Sequence, residues 1–249
     1  MSRASKSRAS ESRASESRAE TAKLGRLLGV EDPQALAFLL PVPAPELRDY
    51  REAVTDLLYD DERELLQRAA DAARLLPART LAAIGERALG PLICARLSGL
   101  LDPPRAAEIS DHFTVDFLAR LAAELDPRRA VEVVSAIATD TVVAVSAAMA
   151  ANGEHVAMGR FVAYLDETAL SRCVEALGDE DLLRVAFVME GDERLPSIFE
   201  MIGAERAARM LAAAHVSGLV EEAEHVVGRL DALGAGAGAS RRLHGKSSG

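Results

Sequence analysis

Along most of this chain, apolar and polar residues alternate with the period of a helix. The clearest stretch runs from Glu62 to Leu76: Leu65, Ala69 and Ala73 fall on one helical face, with Leu66 and Ala70 beside them. Beyond it the punctuation becomes regular. Short segments open at Leu76 (LPART), Leu101 (LDPPR) and Leu125 (LDPRR), at spacings of 25 and 24 residues. Phe113 (FTVDF) and Ile137 (IATDT) fall midway, so the pattern advances by about twelve residues. After a longer helix near 140–152, the step returns at Leu165 (LDETA) and Leu177 (LGDED). In Asp126-Pro127 the aspartate suits the cap, where it can accept from the first free amides. Proline suits the first turn, where its missing N–H costs nothing. Asp102-Pro103 repeats the pair, and Asp140, Asp166 and Asp179 stand at similar starts. Each unit then reads as a helix of eight or nine residues plus a turn. Helices that short are marginal alone, so they must stack on their neighbours. The predicted fold is all-α, a right-handed α-solenoid or superhelix of short stacked helices.

Composition agrees with close helix packing. Aromatics make up 4% of the chain and Trp is absent, so Ala and Leu fill the core, whereas sheets favour β-branched and aromatic residues. The two cysteines, Cys94 and Cys173, are far apart in apolar helical stretches and read as buried packing thiols. No run approaches the ~18–20 apolar residues of a membrane span, and the amino-terminal stretch lacks a secretory apolar region. The expected location is cytoplasmic.

The ends differ from the body. Residues 2–20 repeat a degenerate pentad, SRASK, SRASE, SRASE and SRAE, with no apolar side chain larger than Ala. Composition predicts no fixed structure for residues 1–22, a helical domain over 23–233 and a flexible Gly/Ala-Ser basic tail over 234–249. Each Arg-Ala-Ser sets a serine two residues after a basic side chain, as in some kinase substrates. The simpler reading of the pentad is a repeat-slippage extension with no selected role. Residues 1–23 carry six Lys/Arg and three Glu, and residues 234–249 carry three Lys/Arg and no acid. The formal total of −10 therefore leaves −16 on residues 24–233. An acidic body with few aromatics argues against specific nucleic-acid binding.

Strings such as LDPPRAAEI, LDPRRAVEVVSAI and IGAERAARML, spread over roughly residues 76–230, resemble the repeats in the amino-terminal cytosolic domain of MgtE-type magnesium transporters. The repeats of flagellar motor switch FliG proteins are similar in style. The resemblance implies a compact superhelix of short helices and a cytosolic, Mg²⁺-responsive regulatory role. It does not extend to a membrane domain or to the paired regulatory domains, and no metal-binding motif of that family has a match here.

Catalytic signatures fail on inspection. Gly245-Lys246-Ser247 ends like a P-loop, but Ser240 stands where that pattern needs Gly. Gly234, Gly236 and Gly238 follow no strand, which excludes a dinucleotide-binding turn. No Gly-x-Ser-x-Gly elbow is present, and Ser217-Gly218 falls between helices. Glu108, His112 and Asp116 share i, i+4, i+8 spacing, but a boundary at Phe113-Thr114 would break the face. Glu221 and His225 form a second i, i+4 pair that reads as a surface ion pair.

The acidic clusters hold the remaining chemistry: Asp60-Asp61-Glu62 with Glu64, Asp179-Glu180-Asp181, Glu190 with Asp192-Glu193, and Glu221-Glu222 with Glu224. Most fall at helix starts, which the helix dipole favours. If several converge, Asp179, Glu180, Asp181, Glu190, Asp192 and Glu193 are candidate ligands for Mg²⁺ or contacts for a basic partner. No motif requires any other cofactor. The sequence thus predicts a non-enzymatic module that presents a surface to a partner protein, with a Mg²⁺-responsive regulator as the alternative.

Overall fold

A computed structural model describes residues 3–30, 32–60 and 63–233. Among these residues there are fifteen α-helices, three short 3₁₀ or π segments and no strand, so the all-α class holds. The chain separates into a central unit, Asp56–Leu177, and a terminal unit made of the residues before and after it. The terminal unit starts with α1 (Arg3–Leu28), a 3₁₀ segment (Pro33–Leu39) and α2 (Ala44–Asp60), whose last turn belongs to the central unit.

The central unit continues with α3 (Arg63–Ala73), α4 (Ala78–Ile84), a π-helical turn (Gly85–Leu89) and α5 (Gly90–Ser98). There follow α6 (Pro103–Ser110), α7 (Val115–Glu124), α8 (Pro127–Ala136), α9 (Thr139–Ala151), α10 (His155–Phe161), a 3₁₀ turn (Val162–Tyr164) and α11 (Glu167–Ala176). Most of these helices pack on the next but one, while α10 packs on α9 and α7. One row runs α5, α7, α9, α11, and the other runs α4, α6, α8 and the 3₁₀ turn.

The 24-residue spacing recurs in what is buried. Ala82, Ala106 and Ala130 are all buried, as are Gly85, Ile109 and Val133. In the other row Ala95 and Ala119, 1% and 0% exposed, occupy equivalent places. Small residues at these points let helix axes approach closely, and Phe117, Leu121 and Leu125 fill the space around Cys94 and Ala95. The Phe113 ring leans on Phe117 with centroids 4.7 Å apart.

Helix starts follow the expected chemistry in part. The Asp126 carboxylate accepts from Arg128 N at 3.2 Å and that of Asp166 from Ala169 N at 2.8 Å. Thr114 caps α7 through Phe117 N at 3.3 Å. Asp102 holds the cap position of α6 without a side-chain cap bond. Asp140 and Asp179 lie inside the first turn, behind caps at Ala138 and Gly178, and meet the helix dipole there instead. On α3 Leu66 and Ala70 are buried, while Ala69 of the expected face is exposed.

The terminal unit is completed by α12 (Asp179–Val188), α13 (Leu195–Ile202), α14 (Ala204–Ser217) and α15 (Val220–Ala232). Helix α12 packs on α14, α15 and α1; α14 also packs on α13 and α15, and α1 also on α15 and the 3₁₀ segment. Gly218 ends α14 in the left-handed region (φ 72°, ψ 21°), where a Cβ would be strained, so Ser217-Gly218 is a turn, as its sequence suggests.

Residues 1–22 were expected to lack fixed structure; the described ones, from Arg3, lie in α1, which runs on to Leu28. Ser17, Ala19, Glu20 and Thr21 are buried along with Lys23 and Leu24. Ala, Arg, Glu and Lys are strong helix formers. The described second half of α1 docks largely through polar side chains, which a count of apolar residues overlooks. Residues 234–249, expected to form a flexible tail, lie outside the described residues.

Candidate functional site

The six candidate ligands fall at opposite ends of α12. Asp179, Glu180 and Asp181 occupy its first turn, while Glu190, Asp192 and Glu193 follow its last. A ten-residue helix, about 15 Å long, separates the two sets. Most of the six are held by cations. Asp179 accepts from Arg206 Nε at 2.7 Å and Glu180 from Arg184 Nη2 at 2.7 Å. Asp192 accepts from Arg229 Nε at 2.6 Å, and Glu190 from Arg51 Nη2 at 2.8 Å. Among the described residues, no three His, Cys, Asp or Glu side chains gather as a metal would require.

The two histidine sets do not form sites either. Helix α6 stops at Ser110 and α7 starts at Val115, so Glu108, His112 and Asp116 share no helix face. Glu108 pairs with Arg105 and Asp116 with Arg120. Glu221 pairs across to Arg18 of α1 rather than with His225. His225 is instead buried, its ring edge-on to Phe187 with centroids 5.3 Å apart and its Nδ1 lacking a hydrogen-bond partner. Burial first, and then the Arg229 cation, push its imidazole down to about 4, against the opposing pull of Asp192.

Two assemblies were not legible in the sequence. The first is a buried ion cluster joining α1, α2 and the segment after α12. Glu20 and Lys23, with side chains 3% and 2% exposed, meet at 2.9 Å. Arg48 and Arg51 reach the Glu20 carboxylate at 3.2 and 3.4 Å, and Glu190 accepts from Arg51 while lying 3.6 Å from Lys23 Nζ. Burial alone would raise the Glu20 carboxyl; Lys23, Arg51 and Arg48 together hold it below its ordinary value. Burial pushes the Lys23 ammonium down, partly offset by Glu20 and Glu190. Nearby on α1, Ser17 donates to Val42 O at 2.8 Å. The i, i+3 spacing of Glu20 and Lys23 was the one available signal, and any exposed helix shows such pairs.

The second is an apolar cavity of about 110 Å³ between the two helix rows of the central unit. Its walls include Leu81, Leu97, Ile109, Phe113, Leu121 and Val134. Gly85, in the π-helical turn, closes one side so tightly that a Cβ there would sit 2.9 Å from the Phe113 ring and 3.0 Å from Cys94 Sγ. Both cysteines are buried as expected, and burial pushes the Cys94 thiol up to about 11. At neutral pH it is a protonated packing group without nucleophilic character.

Among the described residues no helix is long and apolar enough to cross a membrane. No protein-family model, curated protein or solved structure matches the chain.

Proposed function

We propose that this protein is a non-enzymatic helical-repeat module whose central unit is a short α-solenoid that binds a partner protein. The observation that carries this reading is the next-but-one packing of α4, α6 and α8 and of α5, α7, α9 and α11, with equivalent buried positions 24 residues apart. Stacked repeats offer an extended surface rather than a catalytic cleft. The partner presents a basic surface: residues 56–177 contain nineteen Asp/Glu against twelve Lys/Arg. Equivalent positions on adjacent repeats carry exposed acids, as with Glu108 of α6, which also pairs with Arg105, and Glu132 of α8.

The Mg²⁺-responsive alternative, implied by the MgtE-like strings, depended on carboxylates converging. Their separation along α12 and their arginine partners leave no observation that favours it. Co-purification of the full chain at native expression, beside the double variant Glu108→Lys/Glu132→Lys, tests the interaction reading. A specific partner held by the parent chain, and at least tenfold depleted with the variant, is the expected result. Retrieval of no specific partner, or equal retention by both chains, would remove the reading.

A further inference from the structure

We propose that the cavity between the helix rows of the central unit is a binding site for a small, uncharged, apolar molecule, the size of a six-carbon ring or a short alkyl chain. The space opens partly to the surface and is large for a gap between packed helices. Close-packed cores hold few voids bigger than a water, whereas this one measures about 110 Å³. Dry apolar cavities of about 150 Å³ bind benzene or xenon.

The chemistry of the wall sets the ligand class. No charged side chain lines the space. Its hydroxyls are already used, since Ser98 Oγ donates to Ala95 O at 2.8 Å and Ser110 Oγ to Ala107 O at 2.7 Å. The remaining polar side chain is the neutral Cys94 thiol. A carboxylate or ammonium would enter without a counter-charge and with little to hydrogen-bond, which water outcompetes. An apolar group gains the contacts that an empty wall forgoes.

The wall also shows where the space is fixed. The tight approach of Gly85 to Phe113 and Cys94 leaves that side closed, and the irregular π turn from Gly85 to Leu89 supplies wall residues at both its ends. Such turns recur where helices are reshaped around function. This inference is independent of the partner-binding proposal, because the cavity lies between the rows and takes a molecule too small to be a protein.

Methyl ¹H–¹³C spectra of the full chain, titrated with benzene and separately with hexanoate, test the site. Benzene is expected to shift the methyls of Leu97, Ile109, Leu121 and Val134 saturably, leaving Val216 and Ile198 unmoved, while hexanoate shifts none of them. Filling the space by Ala106→Leu should weaken benzene binding at least tenfold. Three results would each overturn the proposal: no saturable shift in the parent chain, shifts spread equally over both units, or hexanoate binding as well as benzene. If Ala106→Leu does not fold, the two titrations of the parent chain decide.

Discussion

At the scale of single residues, two positions carry more than their side chains suggest. Gly85 has ordinary helical dihedrals (φ −55°, ψ −53°), so its value lies in what it leaves empty. In Gly85→Ala the new methyl meets the Phe113 ring and Cys94 Sγ at 3.0 Å or less, and overpacking should cost about 1–3 kcal/mol despite the better helix propensity. Gly99→Ala, whose nearest neighbour is Arg129 O at 3.8 Å, should be neutral or slightly stabilising. Thermal melts of the two variants side by side check this, and equal melting temperatures would contradict the packing argument. His225 makes the second case. Its imidazole titrates near 4 in the native state and near 6.5 when unfolded, so between those values the unfolded chain binds more protons. The stability it contributes is therefore complete above pH 6.5 and is lost as pH falls toward 4. Between pH 7 and pH 5 the parent protein should lose about 2 kcal/mol more than His225→Phe in urea unfolding. Parallel pH profiles would contradict the assignment.

At the scale of elements, the turn between α7 and α8 holds the central unit together through Asp126. Its side chain is 1% exposed, caps α8, and lies 3.0 Å from Arg128, 3.7 Å from Arg129 and 3.6 Å from Arg160 of α10. Asp126→Ala removes the α8 cap and the shared anion of three partly exposed arginines and should cost about 2 kcal/mol, read as a shift of the urea midpoint. A change below ~1 kcal/mol would mean that the turn is held by packing alone. The cap role of Asp126 was legible in the Asp-Pro pair, but its link to α10 was not, because Arg160 is 34 residues away and nothing local marks the contact. Helix α9 and the break at Phe113-Thr114 were readable for the same reason as the cap, since start signals and apolar spacing are local properties. The docking of α1 was not readable. Its anchors are Ser17, Glu20 and Lys23, polar residues whose burial depends on Arg48, Arg51 and Glu190 arriving from elsewhere in the chain. The cavity was equally hidden, because a string of Leu and Val predicts a filled core and cannot show a gap left by their packing.

At the scale of the whole molecule, partner binding through stacked repeats requires the 24-residue period to be structural and not only decorative. In a stacked array each repeat contacts its neighbours through equivalent surfaces, so one complete period is dispensable while half a period is not. Residues 106–129 make up one period, and their removal joins Arg105 to Ala130, which occupies the place of Ala106. Removal of residues 106–117 instead joins Arg105 to Leu118 and moves later helices into the wrong row. The most direct measurement is circular dichroism and thermal unfolding of the full chain beside these two deletions. The repeat account predicts that the 24-residue deletion stays helical and melts cooperatively, while the twelve-residue deletion loses both properties. Collapse of both deletions, or equal tolerance of both, would contradict it.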